Sequence, residues 1–364
     1  MHLRESEYDT VPEAANAVRV SEFAVGAEKQ NAGNLLSRVR QLLNDDLQAV
    51  EQLLERSLAS RHELVGVLGQ QATGLGGKRL RPCLVLLAAK ALEGCADTEY
   101  RPRKRDLHCI AASVELVHAA SLVHDDVMDA ALERRHRPTI CSRSGNASAI
   151  LLGDFLFTRA YGVAASCKSA WVARHIAAAS TRLCEGELLQ QLSAGNWLID
   201  GRNYRRILAE KTGALCAVSC RLGSRWAGAT LARQRALDRF GLLLGVAFQI
   251  YDDWLDYWGT ANTGKALGND LQQSKATLPL IRLLESLPAG EREDLLVLLA
   301  GESDQQVRFE RVRAWLDASD ASEYTLAMAG RCVNRAKSLI EDLPSSPAKE
   351  CLLSVADFSI GRDQ

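Results

Sequence analysis

Apolar residues recur at intervals of three and four along most of this chain. Between residues 35 and 58 the spacing is carried by Leu35, Leu36, Val39, Leu42, Leu43, Leu47, Val50, Leu53, Leu54 and Leu58. This is the period of a helix with one buried face, whereas a half-buried strand alternates every second residue. No convincing alternation of that kind occurs, and aromatic residues make up only 5% of the chain. The sequence therefore predicts an all-α fold.

The domain organisation follows from the breaks between the periodic segments. We predict helices over about residues 35–58, 82–92, 107–129, 147–165, 171–192, 203–222, 230–258, 277–284 and 291–299, with two more after Gln305 and Ala321. Pro82 suits the first turn of the second helix, where its missing N–H needs no partner. Because short loops connect the helices, we expect residues 31–364 to form a single domain. Residues 1–30 are polar and weakly periodic, and we expect a mobile arm there.

Charge and cysteine content narrow the class of protein. The net charge is −1, so no overall positive field would attract nucleic acid. The ten cysteines form no CxxC pair, which favours buried thiols in a reducing compartment. No uninterrupted apolar run approaches the roughly 20 residues that span a bilayer. The N-terminus is polar and acidic, unlike a signal peptide. We therefore expect a soluble cytoplasmic protein without a transmembrane segment.

Two acidic patterns lie inside apolar helical runs. The first reads DDVMD over residues 125–129 and the second reads DDWLD over residues 252–256. On a helix the first and fifth residues of each pattern project on the same face. Carboxylates on a buried face are unfavourable unless a cation offsets them. Two facing clusters would offer the oxygen ligands that Mg²⁺ prefers, together with water and substrate phosphates. We interpret these motifs as a Mg²⁺ site for a phosphorylated substrate.

Basic residues accompany both acidic patterns. Gly76–Arg81 places cations and free backbone N–H groups at a loop-to-helix junction, which is a ready anion site. It is not a Walker A loop, because Arg79 follows Lys78 where that loop has Ser or Thr. Further cations are Arg134 and Arg135 after the first pattern, Lys211 in EKTG, and Lys265 and Lys275 after the second. So many cations near two acidic clusters indicate a pair of bound diphosphates.

The motifs resemble one family in both content and order. They are GGKRLRP at 76–82, ELVHAASLVHDDVMD at 115–129, ERRH at 133–136, GNASAILLGDFLFTRA at 145–160, EKTG at 210–213, and FQIYDDWLD at 248–256 with GNDLQQSKATLP at 268–279. Together they resemble the trans-polyprenyl diphosphate synthases over about residues 35–364. Within that family the chain is most similar to long-chain members of the octaprenyl or decaprenyl type.

The resemblance implies an isoprenoid synthase-type helical bundle around a central cavity, usually a homodimer. The implied reaction joins isopentenyl diphosphate head-to-tail to an allylic diphosphate such as farnesyl diphosphate, repeatedly, to give an all-trans product. Asp125, Asp126 and Asp129 would hold two Mg²⁺ ions, and Asp252, with Asp253 and Asp256 nearby, a third. The resemblance assigns isopentenyl diphosphate to Lys78, Arg81, His118 and Arg135. It assigns the allylic substrate to Arg134, Lys211, Thr212, Gln249, Lys265 and Lys275.

The implied chemistry agrees with the residue types. Cleaving an allylic C–O bond creates a carbocation and a free diphosphate, so cations on the diphosphate assist its departure. An apolar pocket keeps water from the carbocation. The dipoles of Thr212 and Gln249 can stabilise positive charge without reacting with it. The diphosphate itself can accept the final proton, so no Ser–His or Cys–His pair is required.

Product length is expected to depend on the residues that precede DDVMD. Positions four and five residues earlier lie about one turn, roughly 6 Å, deeper along the helix. They are Ser121 and Ala120, both small, so the growing tail is expected to pass this level. Val117 and Val114 are further down and also of modest size. The sequence therefore predicts a long-chain product.

Three alternative functions fit the sequence less well than a polyprenyl diphosphate synthase. A non-catalytic partner subunit of a two-component prenyl synthase would be expected to lack some aspartates or basic residues, and none is lost here. A terpene cyclase would carry an Asn/Ser/Glu metal motif in place of the second DDxxD. An HD-type phosphohydrolase would need histidine ligands on separate helices besides His124, which we interpret as a core histidine.

Overall fold

The computed structural model describes residues 25–74, 79–93, 103–134, 137–259, 267–301 and 304–361, with side chains from residue 35 onwards. The first seven helices are α1 (Val25–Ser57), α2 (Glu63–Thr73), α3 (Leu80–Lys90), α4 (Lys104–Met128), α5 (Ile140–Ser144), α6 (Asn146–Ala165) and α7 (Ala170–Leu192). Those that follow are α8 (Gly201–Leu208), α9 (Ala214–Trp226), α10 (Leu231–Trp258), α11 (Asn269–Gln272), α12 (Leu278–Ser286), α13 (Ala289–Ala300), α14 (Gln305–Asp317), α15 (Ala321–Ser338) and α16 (Pro347–Phe358).

The all-α prediction is confirmed, with several local differences. Helices α2, α5 and α11 were not among the predicted helices. The segment predicted as one helix over 203–222 is α8 and α9 joined by a π-helical turn, Ala209–Gly213, which we call the π-turn. A two-residue antiparallel ribbon pairs Glu133–Arg134 (β1) with Arg137–Pro138 (β2), too short to show a strand period. A further helix, α16, follows those predicted at the C-terminus. The expected arm boundary near residue 30 falls inside α1, and residues 1–24 lie outside the described residues.

Helix α4 is the central element of the bundle. It packs against α1, α3, α6 and α9, and α10 packs against α9 and α15. The residues of α4 from Leu107 to Val123 are almost all buried. Small side chains on several sides, such as Ala111, Ala112 and Ala120, let the neighbouring helices approach closely. A helix surrounded in this way is apolar on all faces rather than on one stripe.

The same helix is the one described segment whose length and hydropathy would allow it to cross a membrane. Its most apolar 18-residue window has a mean hydropathy of 1.3, and 78% of that window is buried inside the protein. Counting uninterrupted apolar runs overlooked this segment, because histidines and serines interrupt it. Burial by protein neighbours is what a core helix requires, so the composition of α4 is accounted for by its place in the bundle.

A second, smaller apolar cluster lies beside the main core. It joins the end of α10 to helices α12, α13 and α14 through Tyr257, Leu284, Leu295 and Leu316. Trp258 packs at its edge and donates a hydrogen bond to Asp317 over 2.9 Å. This cluster fixes the C-terminal end of α10, which is the end that carries DDWLD.

Helices α3 and α9 cross at Gly223. A Cβ atom at this position would lie 2.1 Å from the carbonyl oxygen of Val85, so no larger residue fits without moving a backbone. The crossing holds α3 directly against the helix that follows the π-turn. It therefore contributes to the placement of both segments that border the candidate site.

We predict that Gly223→Ala destabilises the protein by about 1–3 kcal/mol, because α3 and α9 must separate to admit the methyl group. Gly330→Ala is the matched control. It lies inside α15 with nothing within 4 Å of the added Cβ, so it should be neutral or stabilising by up to about 1 kcal/mol. Denaturant unfolding measures both. Equal stabilities for the two variants would contradict the close crossing.

Candidate active site

The first acidic motif forms the last turn of α4. Asp126 is buried and accepts a hydrogen bond of 2.7 Å from Nε of Arg134 in the β1–β2 ribbon. Asp129 caps the helix and accepts a bond of 3.3 Å from Nζ of Lys275. Two of the predicted diphosphate-binding cations therefore lie directly on this motif.

Asp125 has the most perturbed environment of the first motif. Its pKa is raised to about 6, chiefly by burial; the charge of Lys211 opposes the shift, while the charges of Glu187 and Asp129 add to it. Burial also raises the pKa of Asp126, against the opposing charge and hydrogen bond of Arg134. The protein thus keeps carboxylates where their negative charge is unfavourable, and a bound cation would relieve this.

In the second motif Asp253 is deeply buried and lies in a hydrogen-bonded network. The hydroxyl of Tyr204 on α8 donates to Asp253 Oδ2 over 2.7 Å. Nε2 of Gln249 donates to Asp253 Oδ1 over 3.0 Å, and Thr212 Oγ1 donates to Gln249 Oε1 over 3.1 Å. Burial and the nearby charge of Asp270 raise the pKa of Asp253 well above its usual value. Asp253 therefore orients Gln249, which in turn orients Thr212.

Asp256 holds the loop that follows α10. Its two carboxylate oxygens accept the backbone N–H groups of Asn269 and Asp270, over 3.1 and 3.0 Å. Its carbonyl accepts the N–H of Gly268 over 2.8 Å, and the Asp270 carbonyl accepts the N–H of Lys275 over 2.8 Å. The third aspartate of DDWLD is thus linked through this loop to Lys275, which reaches the first motif.

The π-turn joins the two motifs. Lys211 bonds to Glu187 over 2.5 Å and to Gln190 over 2.8 Å, and its charge acts on Asp125 and Asp129. The next residue, Thr212, bonds to Gln249 and so to the Asp253 network. Burial lowers the pKa of Lys211, but the negative charges of Glu187 and Asp125 raise it by more. The pKa of Lys211 is therefore raised. π-helical turns are frequent at functional sites.

Several residues of this arrangement were missed by sequence reasoning. Glu187 and Gln190 on α7 hold Lys211, and Gly186 lets α7 approach because a Cβ there would lie 2.4 Å from the Lys211 backbone nitrogen. Tyr204 was missed because a single buried tyrosine carries no motif. The segment GELLQ at 186–190 offered a signal, since its acid and amide lie about one turn apart and so project on the same side of the helix.

Arg79 anchors the start of the basic motif. It has a left-handed backbone (φ 48°) and donates to Glu115 on α4 over 3.0 Å and to Glu51 on α1 over 2.7 Å. Arg81, two residues on, has a buried Nε without a hydrogen-bond partner among the described residues. His118 is half-buried on α4, two turns before Asp125. Lys78, Arg135 and Lys265 lie outside the described residues.

The region below Asp125 is closely packed. Ala120, Val117 and Val114 are fully buried, while Ser121 is 8% exposed and donates to the carbonyl of His118 over 2.9 Å. His124, half-buried, lies 3.0 Å from the carbonyl of Ile150 on α6. The two small residues identified from the sequence therefore lie inside the bundle, directly beneath the first motif.

The acidic side chains do not form a ready-made cage. Within the described ranges no three His, Cys, Asp or Glu side chains converge into a metal-ligand group. The donor set nevertheless suits Mg²⁺, which usually takes one or two carboxylates and completes its shell with water and phosphate oxygens. The metal site formed by both motifs therefore stays a prediction.

Two surface grooves lie away from these residues. One, of about 370 Å³, runs along α1 past Arg40, Leu47 and Glu55. The other, of about 350 Å³, lies among α12, α13 and α14. Neither is lined by a residue of the acidic motifs, so the candidate site is defined by its charged network rather than by these grooves.

Asp125 makes the stability of the metal-free protein depend on pH. Because its folded pKa is raised to about 6 from 3.8, ionisation destabilises the fold above pH 6, and this penalty fades as the pH falls towards 4. We predict that Asp125→Asn stabilises the protein by about 1–3 kcal/mol at pH 7.5 in the presence of a chelator. At pH 4 the variant and the parent should unfold at the same denaturant concentration. A gain of equal size at both values would contradict this assignment.

Tyr204 provides a second test of the network. Tyr204→Phe removes the hydroxyl that donates to buried Asp253, so we predict a loss of about 1–3 kcal/mol in the free energy of unfolding. Tyr161→Phe is the control, because Tyr161 is half-buried and its hydroxyl makes no hydrogen bond among the described residues. Chemical denaturation at pH 7 compares the two. Losses of the same size would show that the bond to Asp253 has no special role.

Comparison with known proteins connects this arrangement to a family. A family model described as polyprenyl synthetase matches residues 62–315. Octaprenyl diphosphate synthase of Haemophilus influenzae is 34% identical over 333 residues, covering 90% of this chain and 97% of that protein.

Solved structures give the same result. The crystal structure of a polyprenyl synthase from Caulobacter crescentus CB15, complexed with calcium and isoprenyl diphosphate, has a TM-score of 0.83 and 32% identity, covering 90% of this chain and 98% of that one. A decaprenyl diphosphate synthase from Rhodobacter capsulatus has the same TM-score and identity, covering 90% and 99%. The family model spans well over half of the chain and these relatives match it almost throughout, so this chain belongs to the polyprenyl synthetase family.

Proposed function

We propose that this protein is a prenyltransferase that condenses isopentenyl diphosphate with an allylic diphosphate, repeatedly, to give a long-chain all-trans polyprenyl diphosphate. The observation that carries the proposal is the π-turn. Lys211 faces the first aspartate motif while its neighbour Thr212 is bonded into the network of the second. One turn thus supplies a cation for a diphosphate and a neutral dipole beside it, which ionisation of an allylic diphosphate requires.

The allylic diphosphate would lie between the two motifs. Arg134 and Lys275 already contact Asp126 and Asp129, and Lys211 acts on Asp125. These cations would turn from the carboxylates to the diphosphate oxygens and lower the free energy of the departing group. Lys265 would join them by its place in the sequence.

Divalent cations would be held by the aspartates. Asp125 and Asp129 project on one face of α4, and Asp126 is adjacent, so we assign two Mg²⁺ ions to this motif. We assign a third to Asp252, with Asp253 and Asp256 supporting it through the contacts described above. Bound there, Mg²⁺ would supply Lewis-acid stabilisation of the diphosphate leaving group. The relative solved with calcium and isoprenyl diphosphate supports this ligand pair.

The carbocation would be met by neutral dipoles. Thr212 and Gln249 are fixed by the bonds that run to Asp253 and Tyr204. A fixed hydroxyl and amide stabilise positive charge without forming a covalent bond to it, and they lose little energy in reorganising. The buried surroundings of α4 exclude water from the reacting carbon.

Isopentenyl diphosphate would bind at the basic motif. We assign it to Lys78, Arg81, His118 and Arg135. The support is the buried Arg81 Nε without a partner and the anchoring of the same segment by Arg79. An unpartnered buried guanidinium N–H is unfavourable, and a diphosphate oxygen would satisfy it.

We further propose a homodimer in the cytoplasm. Leu151 on α6 and Leu188 and Leu192 on α7 are 68%, 61% and 83% exposed, an apolar face that a second copy would cover. All described cysteines are free thiols, which suits a reducing compartment.

The other functions receive less support. A non-catalytic partner subunit would tolerate loss of the aspartates or of Lys211, and each described one is present and embedded in the network. A terpene cyclase would have no use for the anchored basic motif. His124 faces the backbone of α6, an arrangement that does not support an HD-type phosphohydrolase.

The decisive experiment incubates purified protein with radiolabelled isopentenyl diphosphate, farnesyl diphosphate and Mg²⁺, and then separates the dephosphorylated products by length. We expect elongated products, abolished by chelation and by Asp125→Ala. Asp294→Ala, at an exposed aspartate on α13, should leave the rate unchanged. If the parent protein forms no elongated product, the catalytic proposal fails in favour of the partner-subunit function.

Product length tests the path of the tail. If the tail runs beneath Asp125 along α4, Phe at position 120 or 121 would fill the space one turn down, so Ala120→Phe and Ser121→Phe should shorten the product. Ala318→Phe, at the exposed residue that follows α14, should leave its length unchanged. Chromatography of the dephosphorylated products gives the distribution. Parent-length products from both α4 variants would show that the tail takes another path.

A further inference from the structure

The end of the bundle opposite the aspartate motifs carries a concentrated positive charge. Helices α4, α7 and α10 begin at this end, and α6 and α9 finish there. Six of the cations at this end form a surface that we call the basic pole: Arg103, Arg105, Lys168, Arg174, Arg221 and Arg225.

Contacts between the elements show that these residues form one surface. Trp226 on α9 donates from Nε1 to the carbonyl of Arg103 over 3.1 Å. Cys167, beside Lys168, lies 3.7 Å from the carbonyl of Asp106. The Arg225 guanidinium lies 4.3 Å from the ring centre of Trp171 at the start of α7. The basic pole therefore spans α4, the α6–α7 link, α7 and α9 without a break.

Acids neutralise part of this end of the bundle, where Lys104 pairs with Asp46 over 2.9 Å. Arg103 pairs with Asp106 over 2.9 Å, and Arg221 lies 3.8 Å from Asp238. The other four cations are exposed and have no acidic partner among the described residues: Arg105, Lys168, Arg174 and Arg225. The chain as a whole has a net charge of −1. The positive charge is therefore local, and it faces away from the acidic site.

The basic pole also presents aromatic and apolar groups. Arg225, Arg221 and His175 surround the half-buried ring of Trp171, with ring-centre distances of 4.3, 5.9 and 3.6 Å. Trp226 is half-buried as well, and Leu231, five residues later, is 53% exposed. A purely solvated charged face needs no indole rings. Tryptophan among cations is typical of surfaces at the boundary between water and a bilayer.

We propose that the basic pole binds the surface of an anionic phospholipid bilayer. The guanidinium and ammonium groups would contact the headgroup phosphates, while Trp171, Trp226 and Leu231 would enter the boundary between headgroups and acyl chains. Each cation near such a surface strengthens binding about fivefold. A nucleic acid would match the charge but would leave Leu231 without an apolar environment.

The location of the basic pole suits release of the product into a bilayer. This part of the inference rests on the proposed function. Helix α4 has 25 residues and so runs about 37 Å from the basic pole to the aspartates. A long polyprenyl tail beneath Asp125 would extend towards this end of the bundle. The product is insoluble in water, so an enzyme lying on a bilayer would release it beside the phase that dissolves it.

The test uses the full-length protein and sedimenting vesicles. We expect binding to vesicles of equimolar phosphatidylcholine and phosphatidylglycerol, weakened by salt, and little binding to phosphatidylcholine alone. Arg174→Glu with Arg225→Glu should lower the partition coefficient by at least about twentyfold. The control reverses the same amount of charge elsewhere, through Arg56→Glu with Arg311→Glu, both exposed residues outside the basic pole. This control should bind like the parent.

Three outcomes would overturn the proposal: no binding of the parent to the anionic vesicles, equal binding to both vesicle types, or equal weakening by the two double variants. Retention on duplex DNA without vesicle binding would assign the surface to nucleic acid and would also overturn it. Circular dichroism confirms that each variant is folded. Vesicle binding is measured without substrates, so its result is separate from that of the prenyltransferase assay.

Discussion

The half-buried ammonium of Lys211 makes the interaction on which the site depends. It lies among Glu187, Asp125 and Asp129, three carboxylates that would repel one another in a medium of low polarity. Lys211 opposes the rise in the pKa of Asp125 that burial causes, and so favours the ionised form that binds a cation. The π-turn, the close approach of α7 at Gly186 and the amide of Gln190 together hold this one charge in place. The site is thus a balance of charges before any substrate is considered.

This balance explains why much of the site could be predicted from the sequence. Buried acids and the cations that offset them are both rare in apolar helices, so DDVMD, DDWLD and EKTG stand out without a structure. The helical period predicted the bundle for a similar reason, since the apolar spacing of α1 and α10 persists over many turns. Both kinds of signal are local, which is why a single sequence contains them.

The parts of the site that could not be predicted from the sequence depend on which segments pack against each other in the fold. Tyr204 and Asp253 lie 49 positions apart, and only the packing of α8 against α10 makes them partners. The π-turn is a distortion of one helix that no residue pattern marks, so residues 203–222 were predicted as continuous. Asp256 counted as a metal ligand because it completes DDWLD, while the structure shows its carboxylate already engaged by two backbone N–H groups. Motif spacing indicates which residues are chemically unusual, but the division of roles among them depends on tertiary contacts.

The loop held by Asp256 has a consequence for how the two motifs are studied. Asp256 fixes the segment that presents Lys275, and Lys275 bonds to Asp129, so contacts link two residues that lie 127 positions apart in the sequence. Substitutions in one motif alter the electrostatic surroundings of the other. Because residues in one hydrogen-bond network couple energetically, substitutions at Asp256 and Asp129 are expected to be non-additive. A change in one motif is therefore expected to alter the surroundings of the other.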